Sequence, residues 1–432
     1  MERILEHFKA ITAIPRCSFN ASKMQDFIVD FAKKHDFHVT VDDAHNVLCV
    51  KGNPKVCLQA HYDMVCIGET ACIELVCEGN ILKAKNSTLG ADNGMGMAFM
   101  FDMMTRHNNL ECLFTADEEV GLIGASRFKE PLASSFLLNL DSEEEGEICI
   151  GCAGGVDVIA TYPLHWKPRT ADKAVYEVIA EGFLGGHSGI DIDKGIPSAI
   201  KVLARELSQK GCELIHFEGG DRRNAIAKSA RAIVATSSPL TFENEHLHVK
   251  CLDASLFNSV LQESHIVLGA LQAFAQGVRS WDKTLGIPSV SINIGLVRIE
   301  EGILRLDCAA RAMDDENLAI LADETQALFE TLGFHVVQEN WHGAWKPNAG
   351  VFADKVKAIM QDAYEHVCMY AVHAGLECGE LIAHQPKKIE ALSIGPTIRF
   401  PHSLREECDL DSVERMHGIV EKIINEVTYG TY

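Results

Sequence analysis

His61 and Asp63 are the first residues in the chain whose types and spacing suggest catalysis. They follow the apolar segment "VCLQA", which has the composition of a buried strand. Residues two positions apart lie on the same side of an extended chain, so the imidazole and the carboxylate leave the sheet together. At metal centres a carboxylate often fixes the tautomer and orientation of a ligating histidine. The pair therefore predicts a metal ligand, His61, that is oriented by Asp63.

Further polar residues stand where strands or loops end. In chain order they are Asp92, Asp117, Glu118, Glu119, Asp141 and His402. Taken singly, each is typical of an ordinary turn or loop. Carboxylates that leave apolar strands at one sheet edge would repel each other unless a cation neutralised them. Imidazole and carboxylate groups are good ligands for zinc or manganese, so the set predicts a metal centre.

The number of carboxylates favours a centre with two metal ions. Such a centre needs a bridging carboxylate, terminal ligands on each side, and a free carboxylate that acts as base on the attacking water. Glu118 and Glu119 are adjacent and cannot easily both bind one ion. One of them would bind a metal ion and the other would handle protons.

Residues 1–158 have the pattern of an α/β domain that would position these groups. Strands alternate with helices, which indicates a mostly parallel sheet. Ligands bind at the carboxyl ends of the strands of such sheets, and His61, Asp117 and Asp141 fall at such ends. The periodicity predicts helices at 22–34 and 93–107, and strands at 38–51, 55–60, 110–117 and 136–142.

The pattern of apolar and polar residues changes over 159–345 and predicts an inserted α+β domain with an antiparallel sheet. Helical patterns at 195–211, 265–277 and 316–333 are separated by alternating, strand-like segments. Residues 346–432 again show the alternating strand and helix patterns of an α/β domain. The predicted fold class is therefore α/β, with a mixed, mostly parallel sheet and flanking helices. The α/β domain is discontinuous (1–158 and 346–432), because the inserted domain interrupts it.

Composition excludes several classes of partner and compartment. The chain has 39 basic and 61 acidic residues, a net charge of −22, which argues against nucleic acid or an anionic membrane. The N-terminus lacks the pattern of a signal peptide, and the apolar runs are shorter than the ~20 residues of a membrane span. Fifteen cysteines are scattered singly, many in strand-like runs, so we expect reduced thiols and a cytoplasmic protein. One isolated "CIGC" without a second pair disfavours a redox or zinc-ribbon role.

Several motifs together resemble a known family. "AHYDMV", "STLGADNG", "TADEEVGLIGA", "LLNLDSEEEGEICIGCAGG" and "GGHSG" resemble the co-catalytic zinc peptidases that include aminoacylase, peptidase T and carboxypeptidase G. "RRNAIAKSA", "WKPN", "HAGLECG" and "GPTIRFPHS" resemble one branch, the bacterial aminoacyl-histidine (Xaa-His) dipeptidases. The motifs occur in the same order and context, from about residue 5 to residue 425.

The resemblance implies a metal ligand at each matching position. His61, Asp92 and Asp141 would hold one ion. Asp92 would bridge to a second ion, which Glu119 and His402 would also hold. The cofactor implied is a pair of divalent ions, zinc foremost, with manganese or cobalt accepted by the same donors.

The resemblance also implies catalytic roles. Glu118 would be the general base, and Asp63 would orient His61. In the inserted domain, which would be a lid and dimerisation domain, His187 of "GGHSG" matches a histidine that helps to polarise the scissile carbonyl. In many relatives that histidine comes from a dimer partner, so a homodimer through the lid is expected.

Three further positions are expected to contact the substrate. Asn224 and Arg311 lie in the inserted domain, and Arg311 is suited to a peptide carboxylate. Glu377 of "HAGLECG" would face the substrate amine or side chain. The stretch "DCAARAMDD" around Arg311 departs from the arginine-serine pattern of the family, and the chain is shorter than the Xaa-His dipeptidases.

The implied reaction is hydrolysis of short peptides, foremost dipeptides of the Xaa-His type. One alternative is the same mechanism on N-acyl amino acids or tripeptides. Another is a non-catalytic metal-binding assembly protein, which the presence of Glu118 disfavours. An α/β hydrolase or nucleotide-binding protein is disfavoured because the chain contains no G-x-S-x-G and no complete G-x-G-x-x-G.

Overall fold

The computed structural model describes residues 1–430, which form two compact units. Unit 1 comprises Met1–Gly151, Trp345–Ala371 and the segment from Leu376 to the end of the described residues. Unit 2 comprises Cys152–Ala344 and Val372–Gly375. The predicted boundaries of the inserted domain are 158/159 and 345/346.

The described residues form helices and strands with the following bounds. The helices are α1 (Glu2–Thr12), α2 (Ser22–Lys34), α3 (Ala91–Arg106), α4 (Ile123–Arg127), α5 (Ala199–Gln209), α6 (Ser264–Ala273), α7 (Asp315–Thr331), α8 (Val351–Gln361), α9 (Glu377–Ala383) and α10 (Leu410–Tyr429). The strands are β1 (His38–Val41), β2 (Val47–Lys51), β3 (Val56–His61), β4 (Leu75–Glu78), β5 (Ile81–Ala84), β6 (Leu110–Thr115), β7 (Phe136–Asn139), β8 (Glu147–Cys152), β9 (Gly154–Pro163), β10 (Trp166–Pro168), β11 (Ala174–Ala180), β12 (Gly186–His187), β13 (Glu213–Gly219), β14 (Ala225–Ile226), β15 (Ala230–Thr236), β16 (Leu247–Leu252), β17 (Ser259–Leu261), β18 (Gly277–Asp282), β19 (Ile287–Glu300), β20 (Ile303–Ala312), β21 (His335–His342), β22 (Cys368–Val372), β23 (Glu390–Ser393), β24 (Ile398–Arg399) and β25 (Glu407–Asp409).

Unit 1 contains an eight-stranded sheet with the order β1-β2-β6-β3-β7-β23-β8-β22. Its central strands β6, β3, β7 and β23 run parallel, whereas β1, β2 and β8 pair antiparallel with their neighbours. All six residues of β3 are buried, as expected of a central parallel strand. The predicted α/β class with a mixed, mostly parallel sheet is confirmed.

The core of unit 1 fixes the start of helix α3. Nearly every residue from Ala91 to Met104 is buried, so the helix has no polar face. Helices α1 and α10 pack against it, and α10 is amphipathic with Met416, Ile423 and Ile424 buried. A helix enclosed on all sides cannot shift freely, which holds its N-terminus in place.

Unit 2 is built on an antiparallel sheet with the order β16-β11-β15-β13-β19-β20-β9-β21, and β18 also pairs with β19. Strands β19 and β20 form a long hairpin that closes at Glu300 and Ile303. Helices α5, α6 and α7 contribute to the same core as the sheet. The predicted α+β domain with an antiparallel sheet is confirmed.

Two element predictions differ from the structure. The strand expected at 38–51 is a hairpin, because the Asp42 carboxylate accepts hydrogen bonds from the N–H groups of Ala44 and Asn46 and closes a turn. The helix expected from residue 195 begins only at Ala199, since the residue before Pro197 is disfavoured in helical conformation.

The cysteine prediction is wrong at one pair. Cys17 and Cys66 form a disulfide bond, because the bridge between the α1–α2 loop and the segment after β3 brings their Cα atoms to 5.5 Å. Within residues 1–430, the other thirteen cysteines form no disulfide bond. Among the helices of residues 1–430, none combines the length and apolar character required to cross a membrane.

Candidate metal centre

Three neighbouring parallel strands bring candidate metal ligands to one edge of the unit 1 sheet. His61 is the last residue of β3, Asp117–Glu119 follow β6, and Asp141 follows β7. Because β6, β3 and β7 are adjacent and parallel, their carboxyl ends meet at the same edge. Asp92, at the start of α3, and His402, between β24 and β25, complete the cluster.

The Asp92 carboxylate lies between the two histidines. Its Oδ1 is 3.0 Å from Nε2 of His61, and its Oδ2 is 3.1 Å from Nε2 of His402. His61 Nε2 also lies 3.3 Å from Oδ1 of Asp141, and His402 Nε2 lies 2.8 Å from Oε2 of Glu119. One carboxylate thus faces two imidazoles, each of which has a further carboxylate of its own.

The donor atoms fit divalent metal ions. Three sets of side chains each place their ligand atoms within 4.8 Å of one another: His61, Asp92 and Asp141; Asp92, Glu119 and His402; and His61, Glu118 and Glu119. Oε1 of Glu119 is buried without a hydrogen-bond partner, so it has coordination capacity to spare. Mixed imidazole and carboxylate donors suit zinc, manganese or cobalt.

Asp63 holds both His61 and the loop after β6. Its Oδ1 lies 3.5 Å from Nδ1 of His61 and accepts a hydrogen bond from the N–H of Glu118 at 3.0 Å. Its Oδ2 accepts from Oγ of Ser18 at 2.7 Å and from the N–H of Glu119 at 3.4 Å. Burial alone would raise the pKa of Asp63, but the hydrogen bonds from His61 and Ser18 lower it below its ordinary value. Asp63 is therefore a charged anchor beneath the centre.

The pKa values of both histidines in the cluster are raised. Hydrogen bonds to Asp92 and Glu119 raise the pKa of His402 to about 11. Burial would lower the pKa of His61, but Asp141, Asp63 and Asp92 outweigh it and raise the pKa well above the ordinary value. Both shifts indicate an excess of negative charge around the two imidazoles.

The carboxylates show the same excess of negative charge. Burial, together with Asp141, Glu377 and Glu119, raises the pKa of Glu118 well above its ordinary value. Burial and the neighbouring carboxylates raise the pKa of Asp141 to about 6. A cluster that cannot keep all its carboxylates ionised unaided is a favourable environment for cations.

Two of the loops adopt uncommon backbone conformations. Asp117 has φ +51° and His402 has φ +55°, in the left-handed region that non-glycine residues seldom occupy. The Asp117 carboxylate accepts a hydrogen bond from the N–H of Phe19 at 2.6 Å, which supports that loop. Such conformations concentrate at functional sites, where the surrounding structure maintains them.

Unit 2 contains three of the predicted substrate-contacting residues. His187 Nδ1 accepts hydrogen bonds from the N–H groups of Gly189 and Ile190, so the hydrogen of the neutral imidazole lies on Nε2. Burial and the charge of Arg311 lower the pKa of His187 to about 4. A Cβ atom on Gly189 would lie 2.4 Å from the carbonyl oxygen of His373 and 3.2 Å from both His187 Cε1 and Arg311 Nε, so a larger residue would not fit there. Asn224 is exposed beside β14.

Glu377 is buried in unit 1 rather than exposed at a surface. Its Oε2 accepts a hydrogen bond from Nε2 of Gln59 at 2.6 Å, whereas its Oε1 is buried without a partner. Burial and the charge of Asp141 raise the pKa of Glu377 to about 7, against the opposing effect of His61.

Sequence reasoning missed the polar residues that support the ligands. Gln59 and Asn139 lie within apolar strands and are hydrogen-bonded to each other. Oδ1 of Asn139 also accepts a hydrogen bond from the N–H of Asp141 at 3.1 Å. An amide in an otherwise apolar strand was the available signal. Arg16 and Glu406 are also buried at the centre. The only hints were an arginine after Pro15 and an acidic residue four positions after His402.

The comparisons with known proteins identify the family. No family model matches the chain. The cytosol non-specific dipeptidase of Escherichia coli (strain K12) is 30% identical over 471 aligned positions, covering 97% of this chain and 96% of that protein. The chain belongs to this dipeptidase family. The predicted family, and with it a peptide-bond hydrolase, is therefore confirmed.

Solved structures agree with this family assignment. The crystal structure of aminoacylhistidine dipeptidase from Vibrio alginolyticus matches with a TM-score of 0.82 and 29% identity, covering 97% of this chain and 96% of that one. A tripeptidase from Staphylococcus aureus matches with a TM-score of 0.61 and 16% identity over 99% and 98% of the two chains. The second likeness shows the fold alone.

Zinc binding to the metal-stripped protein is expected to release protons. His402 carries a proton while its pKa is about 11, and an imidazolium cannot ligate a metal ion. The release should persist at pH 8.5, well above the ordinary histidine pKa of about 6.5. Calorimetric titration in buffers of different ionisation enthalpy measures the number of protons released.

The variant His402→Ala should release about one proton fewer than the wild type, because that imidazole is then absent. His265→Ala removes an exposed histidine of unit 2 and should leave the count unchanged. Equal proton release by wild type and His402→Ala would contradict the prediction.

Proposed function

We propose that this chain is a metal-dependent dipeptidase whose active centre holds two divalent ions. The observation that carries the proposal is the position of Asp92, whose two oxygens face the imidazoles of His61 and His402. A bridging carboxylate between two sets of nitrogen and oxygen donors is the arrangement that two-metal hydrolytic sites require. Membership of a dipeptidase family gives the class of substrate.

The donor sets suggest how the ions would be held. His61, Asp92 and Asp141 would bind one ion, and Asp92, Glu119 and His402 the other. Zinc is the first candidate, and manganese or cobalt suits the same donors. When bound, the ions supply Lewis acidity, which polarises the scissile carbonyl and makes water easier to deprotonate.

Glu118 is proposed as the general base. It belongs to the donor set with His61 and Glu119, yet it is not needed as a ligand for either ion. Burial raises the pKa of Glu118 well above its ordinary value, and a raised pKa makes a carboxylate a better acceptor of a proton from water. Glu118 would take a proton from the attacking water as the C–O bond forms. It would then give that proton to the leaving amine as the C–N bond breaks.

Asp63 keeps His61 in position during these steps. Because it also binds the N–H groups of Glu118 and Glu119, it fixes the base relative to the histidine. Displacements of about 1 Å in such groups are costly for catalysis. Asp63 is therefore proposed as the residue that orients His61.

Residues of unit 2 are proposed to bind the substrate. The Nε2–H of His187 would donate a hydrogen bond to the developing oxyanion. The buried Nε of Arg311 lacks a hydrogen-bond partner, and a guanidinium is well suited to the carboxylate of a dipeptide. Asn224 would add a polar contact, and Glu377 would act on the substrate amine or side chain. Unit 2 would thereby function as the lid.

The substrates are proposed to be dipeptides, including the Xaa-His type. The name of the Vibrio alginolyticus relative supports an aminoacyl-histidine substrate, and the name of the Escherichia coli relative supports a broader range. A panel of Xaa-His, beta-Ala-His, Gly-Gly, a tripeptide and N-acetyl amino acids distinguishes these possibilities.

Replacement of Glu118 by Gln should abolish most of the activity without loss of the metal ions. The amide cannot accept the proton, so kcat should fall by a factor of about 10²–10⁴. Dipeptide cleavage would be assayed after metal stripping and after addition of zinc, manganese or cobalt. Metal content would be measured on the same samples.

The matched control is Glu144→Gln, an exposed acid in the loop after β7, which should retain wild-type kcat. Cleavage restricted to N-acetyl amino acids would move the protein to an aminoacylase-like role. Bound metal without cleavage of any substrate in the panel would favour the non-catalytic alternative.

Arg311→Lys should weaken binding of the substrate carboxylate. The KM for a dipeptide should rise about tenfold or more, because a charged hydrogen bond is lost, with a smaller effect on kcat. The wild type should prefer a dipeptide over its C-terminal amide, and the variant should lose this preference. Arg305→Lys, on the same strand but paired with Asp307, is the control and should behave as wild type.

A homodimer through the lid is proposed because, in the family resembled, the residue at the position of His187 reaches a partner's site. Sedimentation equilibrium should show a dimer, and a mixture of inactive Glu118→Gln and inactive His187→Ala chains should regain activity. A fully active strict monomer would refute the dimer, and no recovery on mixing would place His187 in its own chain's site.

A further inference from the structure

The segments that carry His61, Asp92 and His402 are joined by two buried, oppositely charged side chains that take no part in the proposed chemistry. These are Arg16, in the loop between α1 and α2, and Glu406, just before β25. Arg16 is 1% exposed and Glu406 is 4% exposed. Buried charges are costly unless their hydrogen-bonding capacity is used, so their contacts indicate what they are for.

Glu406 binds the backbone that leads into helix α3. Its Oε2 accepts hydrogen bonds from the N–H groups of Leu89 at 2.8 Å and Gly90 at 2.9 Å. Its Oε1 accepts from Ala91 at 2.8 Å and from Asp92 at 3.3 Å. These N–H groups lie at the helix start, where no intrahelical partner exists and a negative charge is favourable.

Arg16 binds the same turn from the other side. Its Nη2 donates to the carbonyl oxygen of Gly90, while its Nη1 donates to those of Tyr62 and Asp63 at 3.2 and 2.6 Å. One guanidinium thus connects the turn before Asp92 to the end of the strand that carries His61. The fork of donors on arginine suits this task, and lysine has no equivalent geometry.

Two glycines make room for this contact. A Cβ atom on Gly90 would lie 2.6 Å from Nη2 of Arg16, and one on Gly94 would lie 2.7 Å from the same atom. Gly90 also has φ +67°, which favours glycine. The glycines of "GADNG" are therefore explained by the approach of Arg16.

We propose that Arg16 and Glu406 are positioning residues that preset the spacing of the metal ligands before metal binds. Glu406 lies four residues after His402, so it also links the His402 loop to Asp92. The charge of Arg16 faces the carboxylates of Asp63, Glu406, Asp92 and Glu119, and it reduces their mutual repulsion. The inference rests on the proposed two-metal function but concerns metal binding, which is measured without any substrate.

The decisive variant is Glu406→Gln, which has the shape of glutamate but turns an N–H₂ group toward the backbone donors. Loss of such supporting contacts typically lowers metal affinity about 10- to 100-fold. Equilibrium dialysis of the metal-stripped protein against cobalt, with metal analysis and the visible spectrum of bound cobalt, should show this loss and an altered spectrum. Circular dichroism and thermal melting would establish that the variant is folded.

Glu407→Gln is the matched control. Glu407 is the adjacent residue and pairs with Lys83 and Arg399 rather than with the ligand segments. It should bind cobalt within about twofold of wild type. Wild-type affinity and an unchanged spectrum in Glu406→Gln would overturn the proposal.

Arg16→Lys separates geometry from charge. Lysine retains the positive charge but cannot donate in both directions, so affinity should fall about tenfold, less than in Arg16→Met. Wild-type affinity in both Arg16 variants would overturn the proposal. Full recovery by lysine with loss in methionine would show that charge alone acts and would overturn the positioning role.

Hydrogen exchange of the wild-type protein provides a test that needs no variant. If the contacts are preset, the amides of Leu89, Gly90, Ala91 and Asp92 should be protected in the metal-stripped protein. Fast exchange that slows only on metal addition would overturn the proposal. If the wild-type protein binds cobalt but hydrolyses no peptide, the proposed function is refuted and this inference still stands.

Discussion

The structure of unit 1 depends on the repulsion between carboxylates that meet at one edge of its sheet. Four ligand or base candidates leave strands β6 and β7 or the start of α3, where the protein interior gives little screening. Every supporting contact described above either spreads this negative charge or opposes it. Asp63 is held by hydrogen-bond donors, Asp92 lies between imidazoles, and Glu118 and Asp141 have raised pKa values.

This constraint explains why the backbone around the site is so fully bound by side chains. Oriented N–H groups and one guanidinium provide positive charge that does not exchange with solvent. Protons and, in the proposed function, metal ions would provide the remainder, and both can exchange with solvent. The fixed part belongs to the fold, whereas the exchangeable part belongs to the chemistry. The arrangement therefore separates stability from function at the level of individual side chains.

Much of the site followed from sequence because its ligands obey a simple rule. The candidate ligands His61, Glu119 and Asp141 lie at or shortly after the ends of apolar strands, and parallel neighbours bring such ends together. The supporting residues obey no such rule. Arg16 precedes α2 by a few residues and Glu406 follows His402, and nothing in their local sequence reveals that they share Gly90 as a partner.

The fold was predictable to a similar extent. Hydrophobic periodicity identified helices in both units and several strands of the unit 1 sheet, but not the turn closed by Asp42 or the late start of α5. Tertiary proximity decided the bond between Cys17 and Cys66, which composition alone argued against. The segment Val372–Gly375, which belongs to unit 2, carries no change of texture that would mark it.

The position of β23 in the unit 1 sheet has a consequence for co-translational folding. This strand lies between β7 and β8, and Glu390 pairs with Phe136. The sheet therefore cannot be completed until residues 390–393 have been synthesised, and long-range strand pairing is slow. His402 follows β23 along the chain, so the set of candidate ligands is also incomplete until His402 has been synthesised. In the proposed function, hydrolytic competence would therefore arise only after both the sheet and the set of ligands are complete.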